Sequence, residues 1–354
     1  MSRRIVIMAG GTGGHVFPAL AVADELRQRG WRVSWLGTRE GLEARVVPAN
    51  GFDIDWLAVK GLRGKGRVAK FTAVFKLLQA CIQARQILKR RQPDVVLGMG
   101  GFVAGPGGLM AKWLGLPLIV HEQNRIPGTT NRWLVKWAAR VTLQAFPDSF
   151  ATAVNAICTG NPLRAAFSDI PEKTMWHPGL GRKLRILVLG GSQGAQVLNE
   201  RVPDALAGLH NLEVTHQTGT AMRDQVASNY AVLGITATVS AFIDDMVSVY
   251  RWADLVICRA GAMTISEVAV CGLPAIFVPL PHAIDDHQTA NARYLRDAGA
   301  ALMLKQADLN ARTLRPAIEQ AMTTLSAMSR AARQLARPDA TRTVADLCVV
   351  EVKP

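Results

Sequence analysis

The sequence contains the same local pattern twice: a short apolar run, then a glycine-rich loop, then a helix pattern. The first copy is residues 4–9 followed by GGTGGH at 10–15, and the second is residues 185–189 followed by GGSQG at 190–194. A buried strand that leads into a tight turn and a helix opens a βαβ unit, whose parallel sheet needs helices on both faces. The pattern therefore predicts an α/β protein built from two similar halves.

A stretch rich in proline and glycine, residues 168–181, lies between the halves and is typical of a linker. The 354 residues are enough for two domains that each bury a core. We therefore predict an N-terminal domain over 1–164 and a C-terminal domain over 165–340. We expect a C-terminal helix at about 341–354 to pack back on the N-terminal domain.

Composition argues against membrane-spanning and disulfide-stabilised proteins. No apolar run approaches the roughly 20 residues that a spanning helix needs. The apolar run near the N-terminus is too short for a signal peptide, so we assign it to the first strand. The five cysteines are scattered without a CxxC pair, which indicates buried thiols in a reducing cytoplasm and no zinc site.

The net positive charge of the chain is confined to its first half. Residues 1–165 hold 23 lysines and arginines against 9 acidic residues, whereas the remainder holds 18 of each. The whole net charge of +14 therefore belongs to the N-terminal half. Such asymmetry favours an anionic partner for that half, either nucleic acid or an anionic membrane.

The most basic segment, residues 56–93, contains no acidic residue and includes Lys70, Lys76 and Lys89. Apolar residues recur in it at helical spacing: Phe71, Phe75, Leu78 and Ile82. A basic amphipathic helix is typical of contact with a membrane surface. The alternative is a helix that packs this stripe on the sheet. Nucleic acid is the competing partner, but no RNA-recognition or helix-turn-helix pattern is present.

Two motifs in the first half predict a ligand site. The loop at 10–15 matches neither the dinucleotide fingerprint nor the P-loop, yet its four glycines let a ligand approach the backbone, and His15 follows them. A tight turn with a histidine at the helix start is the alternative. The polar run HEQN at 121–124 comes directly after an apolar strand. It should therefore lie at the carboxyl end of the sheet, where open α/β sheets bind ligands.

The stretch 254–281 of the second half predicts a diphosphate cradle. An apolar strand at 255–258 leads into small residues and a helix, which we expect Thr264 and Ser266 to open, with Glu267 in its first turn. We expect Gly272 to end this helix. Amides at a helix N-terminus bind phosphate, and a carboxylate there can accept both ribose hydroxyls. On the local pattern alone, an ordinary βα unit with a capping hydroxyl and a glutamate that complements the helix dipole is the favoured interpretation.

The pair Asp53 and Asp55 resembles the DxD motif of metal-dependent sugar transferases. Its alternation with Phe52, Ile54 and Trp56 instead indicates an edge strand with a solvated face. We therefore predict no metal site there.

Taken together, the motifs resemble those of the MurG family, the UDP-N-acetylglucosamine–N-acetylmuramyl-(pentapeptide) pyrophosphoryl-undecaprenol N-acetylglucosaminyltransferases. In the first half these motifs are GGTGGH at 10–15, GLRGKG at 61–66, GMGGF at 98–102, HEQN at 121–124 and GNPLR at 160–164. In the second they are GGSQGA at 190–195, FIDDM at 242–246, RAGAMTISE at 259–267 and HQTANA at 287–292. The resemblance implies two Rossmann-like domains that face a cleft, the GT-B glycosyltransferase architecture.

The resemblance also implies roles for individual residues. UDP-N-acetylglucosamine is the implied donor, with uracil at the Ile243 backbone and the ribose hydroxyls on Glu267. The residues implied to hold the diphosphate are Arg164, Ser192 and, through their amides, Ala262, Met263 and Thr264. The adjacent Ile265 and Ser266 are implied to bind substrate as well. The residues implied to contact the sugar or close over it are Thr12, Gly13, Gly14, Asn124, Gln288 and Asn291.

The implied reaction is an inverting transfer to the C4 hydroxyl of lipid-linked N-acetylmuramyl-pentapeptide, called lipid I, which gives lipid II. It serves peptidoglycan synthesis and, through it, cell shape and cell division. His15 is our first choice of catalytic base and Glu122 the second. The resemblance implies no obligatory metal, with a divalent cation as a stimulant only. It implies a peripheral protein on the cytoplasmic face of the bacterial inner membrane.

For partners we expect both substrates, an anionic membrane surface and other cell-wall synthesis proteins, but no nucleic acid. We expect the membrane contact at Phe71, Phe75, Leu78, Lys70, Lys76 and Lys89. Three alternatives stay open: a GT-B transferase with a different lipid or natural-product acceptor, a UDP-N-acetylglucosamine 2-epimerase, and a non-enzymatic module that binds nucleic acid.

Overall fold

The computed structural model describes residues 2–58, 67–168, 170–172, 174–177, 180–190, 195–281 and 286–352. The chain forms two compact units. The first comprises Met1–Arg164 and Pro338–Pro354, and the second comprises Ala165–Arg337. The GLRGKG motif, Ser192 and the side chains of Lys70 and Phe71 lie outside the described residues.

The first unit is a seven-stranded parallel sheet in the order β3-β2-β1-β4-β5-β6-β7. Its strands are β1 (Arg4–Ala9), β2 (Arg32–Gly37), β3 (Asp53–Trp56), β4 (Val95–Gly100), β5 (Leu118–Glu122), β6 (Val141–Gln144) and β7 (Ile157–Cys158). Its helices are α1 (Gly13–Gln28), α2 (Glu43–Ala49), α3 (Arg67–Arg91), α4 (Ala104–Trp113), α5 (Thr129–Trp137) and α13 (Ala340–Val350).

Both faces of this sheet are covered, because the central strand β1 sends alternate side chains into two cores. Ile5 and Ile7 pack with α1 and the C-terminal helix α13 on one face. Val6 and Met8 pack with α3, α4 and α5 on the other. An ion pair of 2.5 Å between Arg29 and Asp346 joins α13 to the end of α1. The end of the chain thus returns to the first unit.

The second unit is a six-stranded parallel sheet in the order β10-β9-β8-β11-β12-β13. Its strands are β8 (Leu184–Leu189), β9 (Leu212–Gln217), β10 (Ala237–Ser240), β11 (Leu255–Cys258), β12 (Ala275–Phe277) and β13 (Ala301–Met303). Its helices are α6 (Ala165–Ser168), α7 (Gln196–Leu206), α8 (Arg223–Val232), α9 (Met246–Trp252), α10 (Ala262–Cys271), α11 (His287–Asp297) and α12 (Ala311–Gln334).

Each sheet reverses its strand order once, between β1 and β4 in the first unit and between β8 and β11 in the second. The loops that follow such neighbouring strands diverge and leave a crevice at their carboxyl ends, where doubly wound sheets bind ligands. The glycine-rich loop after β1 and Gly100 at the end of β4 meet at the first reversal. Residues 259–261 lie at the second.

Two local predictions are corrected by the structure. Helix α10 begins at Ala262, so Glu267 lies in its second turn and not in its first. Asp53 and Asp55 do lie on the edge strand β3, but Asp55 is buried rather than solvated. Its carboxylate pairs with Arg90 and, at 2.6 Å, with Arg91 at the end of α3.

Candidate active site

The glycine-rich loop of the first unit is held by a buried carboxylate, Glu43. Its oxygens accept hydrogen bonds from the Gly11 amide at 2.9 Å and from the Thr38 amide and hydroxyl at 2.9 and 2.7 Å. A Cβ atom added at Gly41 would lie 2.1 Å from this carboxylate, and one added at Gly10 would lie 2.7 Å from it. The glycines around the loop therefore make room for Glu43. Sequence reasoning missed this residue, because a glutamate at a helix start also serves to complement the dipole.

The same loop leads into the N-terminus of α1. Thr12 has an extended backbone, and its carbonyl accepts from the amides of His15 and Val16, both at 3.1 Å. The helix therefore begins at Gly13, inside the GGTGGH motif, and His15 lies in its first turn. The positive end of the helix dipole and the backbone of Gly13 and Gly14 lie at the carboxyl end of the sheet, which suits an anionic or polar ligand.

His15 is half-buried and fixed from two sides. Its Nδ1 lies 2.9 Å from Oε1 of Gln123, the residue that follows β5 by one position. Its ring lies against Gly100, where an added Cβ would be 2.7 Å from Nδ1. Gly100 also has a φ of +108°, a conformation that other residues rarely adopt. The GMGGF motif is thus the surface on which the imidazole rests.

Behind Gln123 lies a second histidine, His121, which is completely buried. Its Nε2 lies 3.0 Å from the Gly160 carbonyl, and its Nδ1 lies 3.1 Å from Gln123 Nε2. Burial lowers the pKa of His121 to about 4, so the imidazole is neutral at cytoplasmic pH. The first and third residues of the HEQN motif therefore form a hydrogen-bonded chain that ends at His15.

Glu122, the second candidate for the base, is 1% exposed, and both of its carboxylate oxygens accept hydrogen bonds from nearby groups. One oxygen accepts from the amide and side chain of Asn124 at 2.8 and 3.2 Å. The other accepts from the Gly128 amide at 3.0 Å and from Asn131 Nδ2 at 2.9 Å. With four donors on its two oxygens, this carboxylate holds the loop after β5 in place. The geometry therefore favours His15 over Glu122 as a proton acceptor.

In the second unit the predicted diphosphate loop begins helix α10. The Ile265 amide already donates to the Gly261 carbonyl at 3.0 Å, and the Ser266 hydroxyl donates to the Ala262 carbonyl at 3.1 Å. Those two groups serve the helix itself. Ala262, Met263 and Thr264 therefore provide the first-turn amides that suit an anion. Gly272, with a φ of +59°, ends the helix as the sequence predicts.

Glu267 is oriented by a buried phenol one helix away. The Tyr250 hydroxyl donates to Glu267 Oε2 at 3.0 Å. Burial and the negative charge of Glu267 raise the pKa of Tyr250 well above its ordinary value, so the phenol keeps its proton and donates. Sequence reasoning missed Tyr250, because an aromatic residue in α9 is expected to serve the core.

The two residues expected to contact the sugar, Gln288 and Asn291, hold the loop before α10. Gln288 Oε1 accepts from the amides of Leu280 and Ala260 at 2.9 and 3.3 Å. Asn291 is fully buried and donates to the Ala260 carbonyl at 3.3 Å. Asn291 therefore positions the backbone of the loop before α10, and its contact with the sugar stays a prediction.

The remaining predicted contacts are distributed over both units. Ile243 is half-buried just before α9, whose N-terminus is capped by Asp245 through a bond of 3.0 Å from the Ser248 amide. Arg164 is exposed and belongs to the first unit. Ser192 lies outside the described residues, so its diphosphate role stays a prediction.

Helix α3 exposes the apolar stripe that the sequence singles out. It packs on the sheet through Ala80, Ala84, Ile87 and Leu88. Phe75, Leu78 and Ile82 are 71%, 58% and 59% exposed. Lys76 and Lys89 are exposed as well. Nearby, the Arg85 guanidinium lies 4.6 Å from the ring centroid of the exposed Trp113. The alternative in which this stripe packs on the sheet is therefore wrong for its described residues.

The described residues include no helix that is both long and apolar enough to cross a membrane. They also include no group of three or more histidine, cysteine or acidic side chains that could hold a metal ion.

The comparisons with known proteins agree with the motifs. The N-terminal domain model of glycosyltransferase family 28 matches residues 5–143, and the C-terminal domain model of that family matches residues 185–345. A UDP-N-acetylglucosamine–N-acetylmuramyl-(pentapeptide) pyrophosphoryl-undecaprenol N-acetylglucosamine transferase of Methylococcus capsulatus is 58% identical, over 99% of both chains. The protein of the same name from Stutzerimonas stutzeri is 49% identical, again over 99% of both.

Solved structures give the same result. The crystal structure of Acinetobacter baumannii MurG matches with a TM-score of 0.86 and 41% identity, over 98% of this chain and 99% of that one. A glycosyltransferase of kitacinnamycin, 18% identical over the full length of both chains, has a TM-score of 0.72 and shares the fold alone. The GT-B class predicted from the sequence is confirmed, and the chain belongs to the MurG family of N-acetylglucosamine transferases.

Proposed function

We propose that this chain transfers N-acetylglucosamine from UDP-N-acetylglucosamine to the C4 hydroxyl of lipid I, with inversion at the anomeric carbon, and so forms lipid II. The observation that carries the proposal is the 58% identity, over 99% of both chains, to a relative whose name states this transfer. The site geometry supports it independently, because one unit offers a fixed histidine and the other an anion-binding helix N-terminus.

In this proposal most donor contacts come from the second unit, and Arg164 comes from the first. The first-turn amides of α10 and Arg164 stabilise the diphosphate as UDP departs, and Glu267 accepts the ribose hydroxyls. Uracil meets the backbone at Ile243, and Gln288 contacts the sugar. Because amides and an arginine supply the positive potential, no metal is obligatory, and a divalent cation acts only as a stimulant. Removal of divalent cations with a chelator should therefore lower the rate without abolishing it.

His15 acts as the general base toward the acceptor hydroxyl. The anomeric carbon is attacked as the bond to UDP breaks, and the imidazole takes the proton that the hydroxyl loses. A neutral imidazole has one unprotonated ring nitrogen, which can accept this proton. Glu122 supports this arrangement by holding Asn124 and the loop that follows β5.

The exposed stripe of α3 contacts the anionic cytoplasmic face of the bacterial inner membrane. Its apolar side chains enter the headgroup region and the surrounding lysines and arginines attract anionic lipid, which suits an acceptor that is itself anchored in the membrane. Contacts with other cell-wall synthesis proteins stay a prediction of the family resemblance.

The decisive experiment is UDP release from UDP-N-acetylglucosamine, with and without a soluble lipid I analogue. We expect release that depends on the analogue and a product that carries one added sugar. Release with a different lipid or natural-product acceptor, but not with lipid I, would identify a sister transferase. Conversion of the donor without any acceptor would identify an epimerase.

A further inference from the structure

The hydrogen bonds around His15 form a chain whose direction can be worked out from its far end. The chain runs from the Gly160 carbonyl to His121, from His121 to Gln123, and from Gln123 to His15. The three distances are 3.0, 3.1 and 2.9 Å. Each of these contacts needs one donor and one acceptor, so fixing one end fixes the rest.

The proton of His121 sits on Nε2. The Gly160 carbonyl, 3.0 Å from Nε2, can only accept. The Thr159 hydroxyl, 3.2 Å from the same nitrogen, donates its own proton to Gly160 at 2.9 Å and is also an acceptor there. The buried ring is neutral at cytoplasmic pH and carries a single ring proton. His121 Nδ1 is therefore an acceptor.

The amide of Gln123 cannot be turned over. Its Nε2 faces two acceptors of His121, Nδ1 at 3.1 Å and the backbone carbonyl at 3.0 Å. A flipped amide would press its oxygen against both and lose both bonds, at the cost of unsatisfied buried groups. Gln123 is completely buried, so water cannot replace them. Its Oε1 must therefore face His15, and an amide oxygen can only accept.

We propose that Gln123, locked by His121, is a positioning residue that holds neutral His15 in the Nδ1–H form and thereby leaves the proton-accepting lone pair on Nε2. The meaning of this arrangement for catalysis rests on the proposed transferase function. The tautomer itself does not. A neutral amide also orients the ring without adding a negative charge beside it. A carboxylate in its place would stabilise the imidazolium, which has no free lone pair to accept a proton.

The surroundings of His15 are defined on each side. Gly100 of β4 lies against the ring, Gln123 follows β5, and Glu43 of α2 holds the glycine-rich loop. The titratable groups on these elements are His121, which is neutral, Glu43, which accepts from Gly11 and Thr38, and Glu122, which accepts from Asn124, Gly128 and Asn131. The variants of Gln123 leave all three in place.

The direct test is nitrogen NMR of the full-length chain labelled with ¹⁵N-histidine, at a pH where imidazoles are neutral. His15→Gln assigns the signals of interest by their loss. We expect the His15 Nδ1 signal to be that of a protonated nitrogen and Nε2 that of an unprotonated one. Gln123→Met, which keeps the bulk but removes the acceptor, should move His15 toward the Nε2–H form that imidazole prefers in water. Gln123→Glu should retain Nδ1–H.

Kinetics supply the second readout. Gln123→Met should lower kcat about 10- to 100-fold, less than complete loss of a general base, with the KM for donor little changed. Gln123→Glu should recover most of that loss and shift the acidic limb of the rate profile upward, because a carboxylate stabilises the imidazolium. A rise in the KM for the donor in both Gln123→Met and Gln123→Glu would instead indicate a merely structural role for Gln123.

Two results overturn the proposal: an Nε2–H form in the wild-type protein, or a His15 tautomer that Gln123→Met leaves unchanged. Either can occur in a protein that still makes lipid II, so failure of the tautomer is separate from failure of the function. Conversely, a protein inactive toward lipid I can still show the Nδ1–H form.

Discussion

The glycine-rich loop of the first unit and the small-residue loop of the second are held by side chains of opposite character. Glu43, a buried carboxylate on α2, accepts a hydrogen bond from the Gly11 amide of the first loop. Arg259, a cation that directly follows β11, begins the second loop and donates to the Val278 carbonyl at 3.0 Å and to Gln306 Oε1 at 2.7 Å. The two loops follow strands at different places in their sheets, β1 and β11, and the charged groups that hold them have opposite sign.

The two loops have different roles in the proposed function. The first leads to His15, the proposed base, and Glu43 holds that loop through the neutral donors of Gly11 and Thr38. At the second, burial lowers the pKa of the Arg259 guanidinium, which donates to neutral oxygens of Val278, Pro279 and Gln306. The positive charge of Arg259 adds to the positive end of α10, which suits the proposed diphosphate.

The largest effect should come from the side chain that the first unit positions. We expect His15→Ala to lower kcat by about 10²–10⁴-fold, the usual contribution of a general base, while donor affinity changes far less. The acidic limb of the rate profile should disappear or shift, because that limb reports the neutral imidazole. Steady-state kinetics across pH, with titration of UDP as the binding control, would measure both.

Glu122→Gln is the matched variant for that experiment. The amide places an NH₂ group against backbone and side-chain donors, so we expect lower stability and a retained acidic limb. Loss of the limb in Glu122→Gln, with its retention in His15→Ala, would make Glu122 the base and reverse our assignment. Loss of donor affinity alone in His15→Ala would reduce His15 to a diphosphate or capping contact.

The second effect concerns acid stability, where the two units should behave alike. Burial lowers the pKa of His121 in the first unit to about 4 and that of His216 in the second to about 3, from 6.5 in both cases. As the pH falls below 6.5, these histidines therefore take up protons in the unfolded chain before they do so in the folded one. Their contribution to the free energy of unfolding is fully present above pH 6.5 and is lost as the pH falls toward 4, by up to about 3 kcal/mol for each histidine.

Urea unfolding at neutral and mildly acidic pH would measure this loss. His216→Gln should flatten the pH dependence of the second unit, whereas the exposed His210→Gln should leave it as it is. His216 is held by Tyr230 and Asn199 at 2.9 and 3.1 Å, so the variant loses some stability at every pH. A slope identical to that of the wild type would show that His216 takes up its proton in the folded state.

The third prediction tests the carboxylate of the second unit. Glu267→Ala should weaken UDP binding about ten- to hundredfold, since a hydrogen bond to a charged group is worth about 1.5–3 kcal/mol. Tyr250→Phe removes only the donor that orients this carboxylate, so its effect should be smaller, roughly three- to tenfold. Isothermal titration with UDP would rank the variants. An unchanged dissociation constant for Glu267→Ala would remove Glu267 from the ribose site.

The elements of the fold were predictable because each one leaves a local pattern. Apolar runs before small residues gave β1, β8 and β11, and Gly272 ended α10 as expected. The run of basic residues around α3, which no acidic residue interrupts, and the apolar stripe of that helix could also be anticipated. These features depend on residues close together in sequence, which is why spacing alone reveals them.

The supports of the site were not predictable, since they join residues far apart in sequence. Gly100 and His15 meet only because β1 and β4 are neighbours in the sheet, and Glu43 reaches Gly11 from the next βα unit. Asp55 looks solvated by alternation, but the arginines at the end of α3 cover it. Asn291 has the spacing of a ligand contact and the burial of a structural amide.

The smallest effects should come from variants that remove a single charge from α3. They test whether the first unit, unlike the second, has affinity for membranes. We expect the chain to bind vesicles of anionic lipid, less tightly as salt rises, and neutral vesicles weakly. Phe75→Ser should reduce co-sedimentation because a ring that is 71% exposed in the free protein would no longer enter the headgroup region. Val232→Ser is the matched control, since Val232 is 87% exposed on the second unit.

Each lysine near the membrane contributes roughly 1 kcal/mol at low salt, so Lys76→Gln or Lys89→Gln should weaken vesicle binding about fivefold. The variant with Lys70, Lys76 and Lys89 all changed to Gln should lose most of the difference between anionic and neutral vesicles. These variants leave the loops of both units untouched, so UDP affinity should stay constant throughout. Equal binding of the wild type to neutral and anionic vesicles, or full binding by the triple variant, would separate the basic surface of the first unit from any membrane role.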